Sequence, residues 1–301
     1  MRGDIDIIHH PGLVAEDIEA AVAQYERLGF VFTPLSLAKI SLEPGAEPVY
    51  LGAGNRNAIF ERNFLEIVGV TDADVWARFP VAKRGPFNLD ERLGLYQGLH
   101  IMHFGADDLT LVRARLQAAG VEVSDIATLQ RTVETPEGPR VMEAKTVYFA
   151  RGANPEALMQ IAQHVTPQYA LQQRYNVHPN GARRLTEVIV CSHDPEALAA
   201  KYALYSGHPV QTRPHCRFLD LGHTRVLVTD PAGLPELSPG QQAPVVPFLA
   251  GFTVATASLD AARDVLRGAD VPFSEVDGRL VVSPEHACGS AVLFETLDAT
   301  R

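Results

Sequence analysis

The sequence predicts an α+β fold in which four copies of one unit pair into two domains with curved antiparallel sheets. Each copy reads as a short apolar strand, a small polar or acidic residue, an amphipathic helix and then about three more strands. The copies begin at Ile5, Gly98, Leu185 and Ala250. A repeated supersecondary unit is decisive for architecture, because one such unit cannot bury its apolar face alone.

The four helices are predicted from their first residues and from the spacing of apolar residues. Their starts align at Asp17, Asp108, Asp194 and Ser258. Each of these side chains can accept hydrogen bonds from the free amides of the first helical turn. Apolar residues then recur at helical spacing in every copy. Glycine follows three of the helices at the usual stop position, namely Gly29, Gly120 and Gly207.

The remaining strands are predicted from alternation of apolar and polar residues after each helix. In the first two copies the predicted strands cover 30–36, 49–61, 63–70, 121–127, 140–150 and 156–165. In the last two they cover 215–222, 224–231, 271–276, 279–287 and 290–297. Each unit therefore contributes one half of a curved sheet.

A polar segment at 165–184, with turn-forming residues in its centre, predicts the boundary between the two domains. The first domain is placed at 1–170, with its units at about 5–70 and 98–165, and the second at 183–301. An insertion at 71–97 separates the first two units. Because added loops on a rigid scaffold tend to shape binding sites, we expect this insertion to cover the site.

Composition excludes several classes of protein. The 301 residues carry a net charge of −10 without a dense basic stripe, which argues against a nucleic-acid partner. No apolar run is long enough for a membrane helix, and three scattered cysteines suggest neither a disulfide framework nor a cysteine metal site. We therefore expect a cytoplasmic protein that acts on a small molecule, with a homodimer as one possible assembly.

The repeated unit resembles that of the vicinal oxygen chelate superfamily, which contains glyoxalases, bleomycin-resistance proteins and extradiol dioxygenases. The resemblance rests on DIEAAVAQYERLGF after a strand that ends in His9 and His10, and on VVSPEHACGSAVLFE near the end of the chain. The phrases GAGNRNAIF, NFLEIVGV and QHVTP are similar to its glyoxalase-like branch. The resemblance spans nearly the whole chain and implies that a divalent metal ion lies in the cup between two paired units.

The resemblance also implies ligands on the first and last strand of each unit. In the first unit these are His10 and Glu66, and Glu66 would act as a ligand or as a general base. In the second unit the register falls between His100 and His103, and His100 is the preferred ligand. On the last strand of that unit, Gln160 occupies the position that Glu66 has in the first unit. His164 follows on the same face of the strand, and both are candidate ligands.

The second domain departs from the ligand pattern. Glu187 and Gly251 occupy the positions of the strand histidines, and Glu295 is the one carboxylate on the final strand. In extradiol dioxygenases with four such units the metal ligands lie in the second domain. We therefore expect a degenerate second domain, which serves as a scaffold or a dimerisation surface.

Histidine, carboxylate and amide donors suit Mn, Fe, Co, Ni or Zn ions. With open positions for two adjacent substrate oxygens, such an ion acts as a Lewis acid that stabilises an enediolate or alkoxide. The sequence therefore predicts a metal-dependent enzyme, a lyase or isomerase acting next to a carbonyl. The alternatives are a binding protein of the antibiotic-resistance type without catalysis, an Fe(II) dioxygenase with its site in the first domain, and a purely structural partner.

Overall fold

A computed structural model describes residues 3–43, 46–84 and 88–298 of the chain. The helices are α1 (Ile18–Arg27), α2 (Ala73–Arg78), α3 (Leu89–Leu93), α4 (Leu109–Ala118), α5 (Pro167–Ala170), α6 (Pro195–Ser206), α7 (Leu234–Leu237) and α8 (Leu259–Gly268). The strands of the first half are β1 (Ile7–Ala15), β2 (Ser36–Ile40), β3 (Val49–Ile59), β4 (Phe64–Val70), β5 (Gly98–Gly105), β6 (Ala127–Thr135), β7 (Gly138–Tyr148) and β8 (Gln160–His164). Those of the second half are β9 (Ala182–Cys191), β10 (Gln211–Arg213), β11 (Cys216–Asp220), β12 (Arg225–Thr229), β13 (Phe248–Thr256), β14 (Ser274–Val276), β15 (Arg279–Val282) and β16 (Ala291–Thr296).

The strands form two eight-stranded sheets, and each sheet takes its strands from one half of the chain. The first has the order β2-β3-β4-β1-β5-β8-β7-β6, and the second has the order β10-β11-β12-β9-β13-β16-β15-β14. In each sheet the first strands of two units pair antiparallel at the centre, and each pairs in parallel with the last strand of its own unit. The predicted α+β fold of repeated, paired units is confirmed, but both sheets are mixed rather than antiparallel, because each unit contains one parallel pairing.

The predicted helix starts are confirmed as N-caps. Side chains of Asp17, Asp108, Asp194 and Ser258 each accept a hydrogen bond from a backbone amide two or three residues later. These bonds satisfy donors that the helix itself leaves free. Gly207 ends its helix with φ 75°, a left-handed conformation that glycine adopts without a steric penalty.

Two of the predicted strands lie later in the chain than their apolar residues suggested. The runs 30–36 and 121–127 were predicted as strands, whereas β2 spans Ser36–Ile40 and β6 spans Ala127–Thr135. Phe30 and Phe32 are buried in the core without a sheet partner. Burial of the connection after the helix explains the apolar residues at 30–36, whereas 121–127 keeps a short pairing in which Val123 bridges Phe149.

The two sheets share their main hydrophobic core. One continuous cluster of buried side chains draws on all four long helices and on both sheets. Tyr25 of α1 stacks on Phe252 of β13, with ring centroids 6.4 Å apart, and Tyr202 of α6 packs edge-on against Phe104 of β5. The boundary at 165–184 therefore separates two sheets whose cores are continuous.

His178 attaches the connection between the halves to the first half through two hydrogen bonds. Its Nδ1 accepts a hydrogen bond from the Val31 amide at 3.0 Å, and its Nε2 donates to the Ile59 carbonyl at 2.8 Å. The ring is buried between Phe30 and Phe60. Burial lowers the pKa of His178, and the Ile59 carbonyl opposes this only in part. Both bonds require the neutral imidazole.

We expect this histidine to make the protein less stable in acid. A pKa lowered by folding gives stability that is complete above the unfolded value of about 6.5 and declines as the pH falls below it. His178→Ala should lower the free energy of unfolding by about 2 kcal/mol near neutral pH, since two buried hydrogen bonds are lost. It should also weaken the decline below pH 6.5. Urea unfolding between pH 5 and 8 measures both effects.

The matched control for this prediction is His193→Ala, because His193 is exposed. That variant should match the wild type at every pH. An unchanged pH slope in His178→Ala would contradict the explanation.

No helix in the described ranges is long and apolar enough to cross a membrane.

Candidate active site

The site is built around two β-bulges in the central strands of the first sheet. Ile8 pairs with Phe104 and His10 pairs with His103, so His9 is an extra residue in β1. A bulge can direct two successive side chains toward one face of a sheet, which normal alternation forbids. His9 and His10 therefore lie together, with 2.7 Å between their Nδ1 atoms.

Four imidazoles form a chain across the concave face of the first sheet. The ring centroids of His164 and His9 are 4.2 Å apart, those of His9 and His10 are 5.0 Å apart, and those of His10 and His103 are 4.4 Å apart. Phe64 stacks on His10 with centroids 4.3 Å apart. The strands β1, β4, β5 and β8 thus bring their side chains to one place.

Glu66 of β4 faces this histidine cluster. Its Oε2 lies 3.6 Å from Nε2 of His10, and its Oε1 accepts a hydrogen bond from Nδ2 of Asn55 at 2.6 Å. Burial alone would raise the pKa of Glu66, but His10, then Arg131 and then Asn55 hold it below the usual value. The carboxylate is therefore ionised at neutral pH.

His103 of β5 and Gln160 of β8 complete the group. The amide nitrogen of Gln160 lies 2.9 Å from Nδ1 of His103. If the oxygen and nitrogen of the Gln160 amide exchange places, the amide oxygen accepts a hydrogen bond from Nδ1–H of His103. The lone pair on Nε2 of His103 is then free to bind a cation. Burial lowers the pKa of His103 well below the usual value, and His10 adds to the effect. His103 is thus a neutral donor.

His100, the ligand preferred from the sequence, lies outside the cluster. Gly12 pairs with Ile101 and Leu13 pairs with Leu99, so His100 is the extra residue of a bulge in β5. Its Nε2 lies 2.8 Å from the carbonyl oxygen of Tyr96, and its ring packs against that of Tyr96. The register therefore brings His103, not His100, beside His10.

Three ring nitrogens of the cluster are buried without a hydrogen-bond partner. They are Nε2 of His9 and both nitrogens of His164. Burial lowers the pKa of His164 to about 4, with His10 adding to the effect. Burial also lowers the pKa of His9 well below its usual value, helped by His164, His10 and His103. Buried polar atoms without hydrogen-bond partners are rare in proteins. In a neutral imidazole, each such nitrogen carries either a free lone pair or an N–H group without an acceptor.

The donor set fits a divalent ion by its chemistry, although it is not a finished coordination shell. Within residues 3–43, 46–84 and 88–298, no three His, Cys, Asp or Glu side chains are already arranged to hold an ion. Two donors bound to one ion at about 2.1 Å lie about 3.0–3.6 Å apart, depending on the angle between them. The separation of 3.6 Å between His10 and Glu66 agrees with this range. Neutral imidazoles, one carboxylate and one amide suit the metals of the middle of the first row.

The edges of the first sheet meet over the site. Arg131 of β6 donates from Nη1 to Oγ of Ser36 in β2, at 2.9 Å. These two strands are the opposite edges of the sheet. This one side-chain bond joins the two edges, and the guanidinium of Arg131 is near enough to lower the pKa of Glu66.

The insertion 71–97 packs on the concave face beside the cluster. Its Trp76, Phe79 and Leu89 are buried in one group with residues of β1, β3, β4 and β5, including Val14, Leu51, Ala53, Val68 and Ile101. Residues 85–87 of the insertion are outside the described ranges. Gly52 permits this contact, since a Cβ there would lie 2.4 Å from the Trp76 amide nitrogen. Control of access by the insertion stays a prediction.

Arg84 fastens the insertion from within. Its guanidinium lies over the Trp76 ring at 4.0 Å, donates to Asp90 Oδ2 at 2.7 Å and also bonds the carbonyl oxygens of Trp76 and Phe79. We expect Arg84→Ala to loosen the segment, because its buried acceptors lose their donor. Fluorescence of Trp76, the one tryptophan of the sequence, reports this directly. Acrylamide quenching should rise about twofold or more, as expected for a side chain that is released to solvent.

Lys83→Ala is the neighbouring control for the insertion, since Lys83 is exposed and pairs with Glu43. Quenching in that variant should equal the wild-type value. Equal quenching in Arg84→Ala would mean that the insertion is held by its apolar contacts alone.

The second sheet repeats both bulges without the ligands. Leu185 pairs with Val254 and Glu187 pairs with Thr253, which gives β9 one extra residue as in β1. By this register Glu187 stands where His10 stands in the first half, and Thr253 where His103 stands. The positions of Glu66 and Gln160 are taken by Leu227 and Leu293. The second cup thus lacks the donor set of the first.

An ion-pair network fills the corresponding part of the second cup. Glu187 is fully buried and lies 2.8 Å from both Arg225 and Arg279. Arg279 also pairs with Glu295 at 2.7 Å, and Thr253 donates to Glu187 at 3.0 Å. Burial opposes ionisation of Glu187, but Arg279 and Arg225 hold its pKa below the usual value. A cavity of about 210 Å³ adjoins this network, between the halves, and does not include the histidine cluster.

A family model described as a glyoxalase-like domain matches residues 8–205. The chain belongs to the glyoxalase-like domain family. The match covers all but the first residue of the first sheet, includes the histidine cluster, and ends within α6. None of the curated proteins compared with the sequence of this glyoxalase-like chain matches it.

Solved structures share the fold at low sequence identity. A hypothetical protein from Staphylococcus aureus has a TM-score of 0.60 and 13% identity, over 96% of this chain and 99% of that one. The Mn(II)-bound glyoxalase from Novosphingobium aromaticivorans has a TM-score of 0.51 and 12% identity, over 97% and 82%. The 2,3-dioxygenase LapB from Pseudomonas sp. KL28 has a TM-score of 0.54 and 12% identity, over 99% and 93%. These similarities show the fold of the glyoxalase-like chain.

Several residues of the site were not predicted from the sequence. His9 was interpreted as a histidine at the end of a strand, and its inward direction depends on a bulge. Asn55 and Phe64 lay on predicted strands without a distinguishing signal. Arg131 lies on β6, which was placed several residues too early. The run RTVET at 131–135, rich in β-branched residues, is the sequence signal that could have placed a strand there.

Proposed function

We propose that the protein is a metal-dependent enzyme that acts on a small oxygenated molecule in the cup of its first half. The observation that carries the proposal is the set of imidazoles and one carboxylate gathered from four central strands. Ring nitrogens of that set are buried without a hydrogen-bond partner, which supports the binding of an ion or a small molecule there. Membership of the glyoxalase-like family agrees with this, and the Mn(II)-bound glyoxalase has the same fold.

The proposed ligands are His10, His103 and Glu66, and the Gln160 amide beside Nδ1 of His103 would orient that ring as an outer partner. His103 replaces His100 of the sequence-based set. His164 is left as a neighbour that can bind the ion or a substrate atom. His9 would accept a hydrogen bond from Nδ1–H of His10 and so direct Nε2 of His10 toward the ion, which is the usual role of an outer partner.

The bound ion would supply Lewis-acid polarisation of a substrate carbonyl. Asn55 fixes one oxygen of Glu66, so the other oxygen is the one that binds or moves a proton. As a base, Glu66 would take a proton from the hydroxyl-bearing carbon beside the carbonyl and return it to the carbonyl carbon, while the hydroxyl proton passes to the former carbonyl oxygen, which is an isomerisation. Expulsion of a leaving group instead of reprotonation would give a lyase. Phe64 and the buried histidine rings keep bulk water from this carboxylate.

The test is the metal content of untagged protein, followed by reconstitution with Mn, Fe, Co, Ni and Zn. We expect about one ion per chain in the wild type, and little in Glu66→Ala. The loaded protein should turn over at least one α-hydroxycarbonyl compound in a screen. Glu275→Ala is a suitable control, because Glu275 is exposed and pairs only with Arg263. Absence of metal under every condition would overturn the proposal in favour of a metal-free binding protein.

A second candidate is an Fe(II) dioxygenase, favoured by the composition of the proposed set. Two histidines and one carboxylate with open positions are the ligands of many non-haem iron oxygenases. Oxygen consumption by the Fe(II) protein with a catechol, absent in the Zn(II) protein, would decide for this candidate. Isomerisation or elimination under anaerobic conditions would decide for the first.

A further inference from the structure

We infer that the substrate is a small carboxylic acid, and that the guanidinium of Arg131 binds its carboxylate. This inference rests on the proposed function, because it names the substrate class of the same cup. It concerns a residue that the ligand set does not use. Arg131 becomes the residue that selects anionic over neutral molecules.

The first argument is the position of Arg131. Along β6 the residues at 131, 133 and 135 are turned inward and their neighbours outward. The side chain reaches Ser36 on the opposite edge strand, so the guanidinium lies between the two edges of the sheet. It is half-buried and shares the cup with Glu66.

The second argument is that the guanidinium is incompletely bonded. In the described part of the chain, its bond to Ser36 is the one hydrogen bond it makes, and Glu66 acts on it through space without forming an ion pair. A guanidinium has five N–H donors in a planar fork, and Nη1 uses one of them here. The edge formed by Nε and Nη2 is therefore available for a two-pronged contact with a carboxylate.

The third argument comes from the second half of the chain, which is an internal comparison. There the inward-facing arginines, Arg225 and Arg279, are both paired with Glu187 and Glu295. In the second half, each inward-facing guanidinium with a structural role is thus neutralised by carboxylates of the chain. Arg131 has no such partner among the described residues, which is expected if a ligand provides it.

The charge of the cup points the same way. Glu66 alone does not balance a divalent ion together with Arg131. An excess of positive charge in a largely closed cup is unfavourable because of desolvation. An anionic substrate would offset it, whereas a neutral molecule would leave it in place.

The test compares matched pairs of probes that differ only in charge. The first pair is 3,4-dihydroxybenzoate and 3,4-dihydroxybenzamide, and the smaller pair is glycerate and glyceramide. Each has two adjacent oxygens together with a carboxylate or its neutral amide. Dissociation constants are measured by calorimetry with metal-free and with Zn(II)-loaded protein, so that activity is not needed.

We expect at least one acid to bind about tenfold or more tightly than its amide, as for a charge-assisted bond. This preference should vanish in Arg131→Gln and weaken in Arg131→Lys, which keeps the charge but loses the planar fork. Arg151→Gln is the control, since Arg151 is exposed in a turn. It should retain the full preference.

The outcomes separate this inference from the proposed function. A preference for the acid in metal-free protein that depends on Arg131, without any metal binding, would support the inference and overturn the enzyme mechanism. Metal binding with equal affinity for acid and amide in both pairs would overturn the inference alone. Binding of neither acid would also overturn it.

Discussion

Replacement of His103 by alanine is expected to lower the affinity for a divalent ion by more than about 100-fold, which exceeds the usual cost of losing an outer partner. His103 pairs across the strands with His10, and its ring lies 4.4 Å from that of His10. It is therefore the residue of β5 that can share an ion with His10 and Glu66. Competition with a chelator of known affinity, using Co(II) and its visible spectrum, measures the change.

His100→Ala is the matched control, because the residue type, the strand and the burial are the same. His100 bonds the carbonyl oxygen of Tyr96 on the far side of a bulge. Its loss should lower stability, since Tyr96 in turn packs against Phe248 of the other half. The metal affinity of the folded protein should stay within about threefold of the wild type, as for a residue outside both coordination shells. The reverse result would return His100 to the ligand set and contradict the observed register.

Loss of the Glu187 carboxylate is expected to have the largest effect on stability. Glu187→Ala should reduce the free energy of unfolding by about 3–5 kcal/mol, which is typical when one partner of a buried ion pair is removed. The side chains of Arg225 and Arg279 are only 13% and 24% exposed, so neither can recover full hydration. Glu295 would be left to balance both. Urea unfolding measured at neutral pH gives the difference.

Two further variants make the Glu187 prediction specific. Glu196→Ala removes an exposed carboxylate that pairs with Arg217, and it should change the stability by about 0.5 kcal/mol or less. Replacement of the whole network, with Glu187→Leu, Arg225→Met, Arg279→Met and Glu295→Leu together, should recover much of the loss, since apolar replacement of buried ion pairs is often tolerated. A cost below about 1 kcal/mol for Glu187→Ala would show that water reaches the arginines.

The overall fold was predictable because its signals are local and repeated. Asp17, Asp108, Asp194 and Ser258 begin helices by bonding amides within three residues of themselves. Such caps depend only on nearby sequence, and the alignment of four copies strengthens the prediction of each helix. The strand predicted at 30–36 was wrong for a different reason. An apolar residue reports burial, and burial beneath a loop has the same signature as burial in a sheet.

The site was less predictable because it depends on register. His10, Glu66, Gln160 and His164 lie on strands whose inward parity could be counted from the sequence, and the structure brings them together. The choice between His100 and His103 depended on one extra residue in β5. A single insertion of this kind reverses the facing of every later side chain, and no local pattern reveals it.

The contact between Arg131 and Ser36 has a consequence for solubility. Exposed edge strands are templates for pairing with other chains, and proteins protect them by shortening or covering them. In the first half the edges β2 and β6 are five and nine residues long, and the side-chain bond between Arg131 and Ser36 joins them. In the second half the edges β10 and β14 are only three residues long. The second sheet thus limits its edges by their shortness, whereas the first joins its two edges through the side chain of Arg131.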